Sequence, residues 1–420
     1  MSSISGVRLP RWLLPAEWPS SSQGPALARL DISEGRITQV SADDHQPTDM
    51  NLGGRLALPP LMDAHCHLDK VFTRSRIGEL QPGLLAAIQA ITEDRDAHWT
   101  RSDLLARAER AMEQAWSAGV RHLRTHVDWW QPSAPTAWET FAELKERWRH
   151  RIHLERVALV PLPLFSDPKD AQRIAAQVAQ SEDALLGDFI HTSNFSHLAV
   201  AELLRAANEQ GLNLDLHVDE ELHPSACGIE TVADLARQMD FAGHISAGHV
   251  CALSAKPRAE ALPLLDKLAR AKITLIALPT CNLLLQDAVP EHTPLARGIT
   301  LIKEARSRDI PLLIGSDNVQ DPFFPYGRQD PMNAFQLGVV AAQLEQPFDN
   351  ASQFICRTDW LTDSHKTREP TLIGAPAELL VFDTTDALSW PSDPGRHWLS
   401  INNNQPVLTP LSPYTTRTNA

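Results

Sequence analysis

Five short stretches of this chain put imidazoles or carboxylates where they could hold a metal ion or move a proton. They read His65-Cys66-His67-Leu68-Asp69-Lys70, Thr125-His126-Val127-Asp128, His217-Val218-Asp219-Glu220, Ser246-Ala247-Gly248-His249 and Gly315-Ser316-Asp317-Asn318. A sixth, Pro279-Thr280-Cys281-Asn282, ends in an amide. Residues two apart on an extended strand share a face, so His65 and His67 point the same way. Two imidazoles on one face can chelate one divalent ion. Alone, such a pair is a weak signal, because an isolated histidine is more often a hydrogen-bonded core or surface residue. The five cysteines stand at 66, 227, 251, 281 and 356 without a CxxC pair, which indicates neither a zinc ribbon nor a disulfide framework. Cys66 and Cys281 have no paired base in a nucleophile motif and read as small buried residues.

The elements around these stretches decide what they can do together. From about residue 55 to 345, strand-like apolar runs alternate with helical patterns. The strand candidates are 56–63, 120–127, 156–163, 185–191, 212–218, 244–250, 273–279 and 310–316. Helical periodicity over 103–118 stops at Gly119, and that over 196–210 stops at Gly211. Ser166-Asp167-Pro168 supplies cap and first-turn residues for a further helix. Eight such units predict an α/β fold, a closed (β/α)8 TIM barrel. The active site of such a barrel lies at the C-terminal ends of its strands, where the six stretches fall. Metal-competent and acid–base residues at four strand ends of one barrel are hard to explain as packing, because buried imidazoles and carboxylates are costly unless paired or metal-bound. Both termini are β-rich. A hairpin over 30–40 turns at Gly35, and strands from 377, 397 and 406 surround an Asn-rich turn.

Composition narrows the partners. Lys plus Arg is 38 against 52 Asp plus Glu, a formal net charge of −14 over 420 residues. That disfavours nucleic acid or an anionic membrane surface as the main partner. There is no basic, then apolar, leader at the N-terminus and no run long enough to span a bilayer. The cysteine usage fits a reducing cytoplasm. Barrels of this kind often form homo-oligomers, and no interface can be located in the sequence.

The pieces PPLMDAHCHLDK (59–70), RTHVD (124–128), HVDE (217–220), the His249 strand and GSDNVQDPFFPYG (315–327) resemble the amidohydrolase superfamily, and within it the cytosine-deaminase-like branch. The resemblance implies a metal-dependent hydrolase barrel over 59–364, with a small discontinuous β-sandwich built from 1–58 and 365–420. It implies one divalent ion, Zn or Fe, on His65, His67, His217 and Asp317, whose N/O donors suit either metal. Such an ion lowers the pKa of its bound water to about 7. The resemblance makes Glu220, His249 and Asp317 catalytic. Asp317 accepts the water's proton, Glu220 carries a proton to the ring nitrogen and leaving group, and His249 stabilises developing charge. Strict alternation turns Glu220 away from His217, so this role requires the chain to leave the strand there. His126 reads as a neighbour of the site that does not bind metal.

The sequence departs from that branch in two places. The segment 160–166 (VPLPLFS) lacks the glutamine that reads a pyrimidine carbonyl, and Asn318 stands where cytosine deaminase has a second Asp. A missing amide partner for a buried carbonyl costs about 1–3 kcal/mol, which weighs against cytosine itself. The strand-four segment 185–194 (LLGDFIHTSN) lacks the lysine of binuclear members. Asn282, Asn318, Trp129 and Phe323 are the expected substrate contacts, with Trp130, Phe324 and Tyr326 as further aromatic wall. Lys70 more simply ties its loop to Asp69 or Asp128. The expected function is hydrolytic deamination of a small amino-substituted N-heterocycle: a cytosine-like pyrimidine, a triazine or a pterin. Release of an alkylamine from a triazine-type ring, hydrolysis of a cyclic amide or amidine, and a non-catalytic barrel are the alternatives.

Overall fold

Eight parallel strands run through the middle of the computed structural model, which describes residues 1–22, 24–362, 370–392 and 394–412. They are β1 (Leu61–Cys66), β2 (Val120–Asp128), β3 (His153–Pro161), β4 (Ala184–Ile190), β5 (Leu214–Val218), β6 (Ile245–His249), β7 (Thr274–Ala277) and β8 (Leu312–Ile314). Each pairs with the next, and a parallel bridge from Cys66 to Asp317 closes the ring. Gly315 makes that closure possible. A Cβ there would lie 2.7 Å from the His65 carbonyl oxygen and 2.9 Å from its amide nitrogen, so only glycine lets the two backbones approach. The strands are covered on both sides and most of their residues are buried, as a parallel barrel requires.

The helices lie outside the strands: α1 (Leu84–His98), α2 (Arg101–Ala118), α3 (Thr136–Trp148), α4 (Pro168–Val178), α5 (His197–Gln210), α6 (Gly228–Gln238), α7 (Arg258–Arg270), α8 (Pro279–Leu285), α9 (Ile302–Arg306) and α10 (Pro331–Ala341). Their ends follow from the sequence. Thr100 caps α2 by accepting from the Asp103 amide, and Gly119 ends it with φ +96°. Asp167 accepts from the Lys169 amide ahead of Pro168, and Ser196 from the Ala199 amide, while Gly211 ends α5 at φ +66°. The chain is thus an α/β protein with a (β/α)8 barrel. No helix among the described residues is long and apolar enough to cross a membrane.

The first strand begins later than the expected 56–63. Ala57–Leu58 pairs instead with Leu379–Phe382, outside the barrel. Pro59 and Pro60 have no amide hydrogen to give a ladder, and β1 starts only after them.

Two more four-stranded sheets form the small β domain. One contains Ser2–Val7, Ala28–Ser33, Arg36–Ala42 and Met50–Asn51; the other contains Ala57–Leu58, Leu379–Phe382, Arg396–Asn402 and Gln405–Leu411. Their facing apolar residues, among them Ile4, Leu30, Ile32, Leu379, Val381 and Leu399, share one core. The hairpin turns are two-residue turns with positive φ throughout, Glu34-Gly35 (+51° and +71°) and Asn403-Asn404 (+51° and +60°), which match the strand twist. The expected boundary between residues 364 and 365 lies outside the described residues.

Candidate active site

Three imidazoles and one carboxylate meet at the C-terminal mouth of the barrel. His65 Nε2 lies 3.1 Å from His217 Nε2, which lies 3.1 Å from His67 Nε2. Asp317 Oδ1 is 3.3 Å from His67 Nε2 and 3.7 Å from His65 Nε2. All four side chains are buried. Burial, then the neighbouring charges, pushes each of the three imidazoles well below its usual pKa, so their nitrogens keep free lone pairs at neutral pH. Burial also raises the Asp317 carboxyl to about 7. Neither of its oxygens makes a well-formed hydrogen bond; only the Cys281 thiol comes near. Lone pairs aimed at one point beside an uncompensated carboxylate are what a divalent cation needs, and the cation in turn removes the burial cost.

Two other groups among the described residues have metal-like spacing, and neither has the same deficit. In His65, His126 and Asp215, the carboxylate already meets Arg124 at 2.7 Å and His126 at 3.2 Å. In His122, His153 and Glu155, the carboxylate is held by Arg124 at 2.8 Å and His122 at 3.0 Å. Arg124 lowers the Glu155 pKa against the effect of burial. His126 instead packs beside His65, with ring centroids 3.8 Å apart.

The chain does leave strand β5 before Glu220. β5 ends at Val218, and Asp219 takes φ +52°. This left-handed conformation costs a non-glycine residue roughly 1 kcal/mol or more. Here it is held by the Asp219 carboxylate, which accepts from the Gly228 and Ile229 amides at the start of α6, at 2.9 and 3.0 Å. The turn brings Glu220 into the mouth, with Oε1 3.3 Å from His249 Nδ1. Burial, then Asp317, lifts its carboxyl well above the usual range, which favours the protonated, proton-donating form. His249 (φ +66°) and Asp317 (φ +61°) leave their strands through the same left-handed region.

The mouth opens into a cavity of about 310 Å³. His67, His217, Asp317, Glu220 and His249 line it, and so do the expected contacts Asn318 and Phe323. The other two expected contacts lie elsewhere. Trp129 is fully buried and packs edge-on against Trp138 at 5.2 Å; its neighbour Trp130 lines the cavity. Asn282 is buried with its Nδ2 3.0 Å from His249 Nδ1, so it meets the histidine rather than the cavity. Phe324 and Tyr326 are also absent from the lining. Lys70 ties its loop to Asp128 at 2.8 Å and also approaches His67 Nδ1 at 3.0 Å. Cys66 and Cys281 are buried, and burial raises their thiols well above the usual pKa, which leaves them unreactive. Sequence reasoning missed the upper wall made by Leu84, Leu85, Ile88 and Ile91 of α1. Their spacing, all within one helical face, is the signal that was available.

Known proteins resemble the chain along most of its length. A family model described as "Amidohydrolase family" matches residues 72–387. A pterin deaminase of Rhizobium rhizogenes (strain K84) is 30% identical over 365 residues, covering 86% of this chain and 83% of that protein. The structure of 5-methylcytosine deaminase from Klebsiella pneumoniae liganded with phosphonocytosine superposes with a TM-score of 0.80 at 25% identity, covering 97% of this chain and 98% of the other. At 20% identity, N-isopropylammelide isopropylaminohydrolase from Burkholderia multivorans shares the fold, with a TM-score of 0.72 over 97% and 98% of the two chains.

Proposed function

The chain belongs to the amidohydrolase family, as a hydrolase of non-peptide carbon–nitrogen bonds in its deaminase-like branch, and on that premise we propose that it releases ammonia from an amino-substituted N-heterocycle of pterin-like size. The observation that carries this reading is the meeting of four metal-competent side chains with the buried Glu220 and His249 around one cavity. The pterin deaminase relative and a cavity at the lower end of the small-molecule range support a substrate built on a ring of this class.

In this proposal His65, His67, His217 and Asp317 hold one divalent ion. Such an ion supplies an ionised water at neutral pH. Asp317 accepts the proton of the attacking water. Glu220 gives its proton to the ring nitrogen next to the attacked carbon and regains one from the newly added hydroxyl as the carbonyl forms, while the proton taken up by Asp317 passes to the departing amine, which leaves as ammonia. His249 presents Nε2, which has no protein partner, toward the charge that develops on the attacked carbon's oxygen. Asn318 holds the ring, with Phe323 on the adjoining wall.

Metal analysis and an ammonia-release panel test the proposal together. The panel holds aminopyrimidines, aminotriazines and pterins, each run with the Zn-loaded and the Fe-loaded protein. We expect about one equivalent of metal, loss of turnover on chelation, and recovery on re-addition. Glu220→Gln should lower kcat by about a hundredfold or more while the protein still melts cooperatively. Turnover by the Gln variant equal to that of the parent would remove Glu220 from the chemistry. Well under one equivalent after supplementation would remove the metal.

A further inference from the structure

The cavity has two unlike halves. The polar half comes from strand ends: Glu220, His249, Asp317 and Asn318, with the Lys70–Asp128 pair. The other half is apolar. Leu84, Leu85, Ile88 and Ile91 of α1 form one side of it with Trp130 and Phe323. Leu159, Pro161, Pro163 and Phe189, from the ends of β3 and β4 and the turn after β3, line it as well, with Asn194, whose amide is taken up by the Phe189 carbonyl and the His191 N–H.

The α1 wall is not spent on the barrel core. Ile91 and Ala87 pack with Cys281, Leu285 and Phe323 in a cluster separate from the one that fills the barrel. Leu84 and Ile88 are only half-buried, and Leu85 is 62% exposed at the cavity's edge. On α1 these four residues fall within about a third of the helix circumference. Apolar side chains held at a cavity edge and left accessible are stabilised only when something apolar covers them.

A bare amino-heterocycle cannot do that. Ring nitrogens and exocyclic groups take up most of its edge, and each of them needs a partner when buried, which leaves only a few C–H positions to face an apolar wall. The Leu, Ile, Pro and Phe walls offer none. The ring therefore belongs at the polar half, and the apolar half faces whatever the ring carries. Nor does an anionic chain fit there. Lys70 is the one lysine or arginine lining the cavity among the described residues, and Asp128 already neutralises it.

Resting on the reading of the site as a heterocycle deaminase, we propose that the natural substrate bears a neutral alkyl or aryl substituent, seated against the α1 face and Phe323. The ring is held at the strand ends, and the substituent supplies most of the apolar contact.

A matched series on one ring tests this: pterin, a propyl-substituted pterin and a carboxyl-substituted pterin, with the same three on cytosine. Burying a methylene is worth roughly fourfold in binding, so a propyl group should raise kcat/KM by about tenfold or more over the bare ring. The carboxyl derivative should fall below the bare ring. Leu85→Ser, at an exposed position that cannot unfold the barrel, and Ile88→Ser should each shrink the propyl-to-bare ratio by several fold. Binding of the same compounds is measured in parallel by calorimetry. If no ring releases ammonia and the propyl derivative still binds tighter than the bare ring, the deaminase reading fails and the substituent inference holds. A propyl derivative that neither binds nor reacts better than the bare ring, or a carboxyl derivative that outperforms it, overturns the inference.

Discussion

The contact between Asn282 and His249 decides which imidazole nitrogen carries the proton. Burial keeps His249 neutral, so it has one N–H to place. The Asn282 amide faces its Nδ1 at 3.0 Å as a donor, with the Glu220 carboxyl beside it at 3.3 Å. An Nδ1 that accepts leaves the proton on Nε2, the nitrogen with no protein partner. Asn282 is then a positioning residue. Asn282→Asp replaces a donor by an acceptor and should lower kcat by roughly tenfold to a hundredfold, the scale of losing one preorganised donor, with little change in KM. Asn282→Ala should cost less, because it removes the donor without installing an acceptor. Steady-state kinetics on both variants check this; a raised KM with kcat intact would mean that Asn282 touches substrate after all. The sequence pointed to Asn282 as a substrate contact because it follows a strand directly. It did not reveal that residue 282 sits inside the short helix α8, where strand alternation no longer predicts direction. Trp129 was misplaced for a related reason: it lies one residue past the end of β2, where one step of direction separates the core from the cavity that Trp130 lines.

At the scale of elements, β4 carries a polar residue that nothing compensates. Alternation puts Phe189 on the cavity side and Asp188 on the opposite side, facing the helices. Asp188 is fully buried and neither carboxylate oxygen makes a well-formed hydrogen bond; only the Phe189 amide comes near. Burial lifts its pKa well above the usual carboxyl value. The folded chain therefore holds this proton more tightly than the unfolded chain does. By linkage, the favourable contribution is complete below the unfolded carboxyl value of about 4 and declines as pH rises above it. Asp188→Asn removes the titration. The melting temperature of the variant relative to the parent should rise steadily between pH 5 and pH 8, read by calorimetry at each pH. A constant difference would mean that Asp188 is neither isolated nor strained. The strands themselves were legible, all eight, because buried parallel strands read as apolar runs between capped helices, and Gly119, Gly211 and Asp167 marked helix ends that the structure repeats. The start of β1 was not, because the two prolines after Leu58 split one apolar run between two sheets, and a run by itself does not say which sheet it joins.

At the scale of the whole molecule, the small β domain meets the barrel through contacts between residues far apart in sequence. That both termini are β-rich was visible in composition, but the pairs that join them to the barrel were not, because each links an ordinary surface-type residue to a distant one. Arg8 meets Asp349 at 2.7 Å, and Trp12 Nε1 donates to Ser352 Oγ at 2.8 Å. Leu380 packs so close to Gly119 that a Cβ there would meet it at 2.9 Å. The more buried of the two ion pairs is Arg396 with Asp330, at 2.9 Å, with Arg396 Nη1 also 3.3 Å from the Ala118 carbonyl at the end of α2. Asp330 also caps α10, accepting from the Met332 amide at 3.0 Å. Breaking such a pair from one side leaves a charge buried without a partner, which costs about 3–5 kcal/mol, whereas removing both charges costs much less. Arg396→Met should therefore lower the melting temperature by roughly 5–15 °C, with kcat/KM at room temperature within about twofold of the parent. Asn retains the capping oxygen at 330, so Arg396→Met combined with Asp330→Asn should recover much of that loss. Calorimetry on the parent, both single variants and the double variant closes the cycle. Additive losses would mean that the two side chains do not act as a pair. An activity loss matching the loss of stability would mean that the β domain holds the mouth of the barrel in shape.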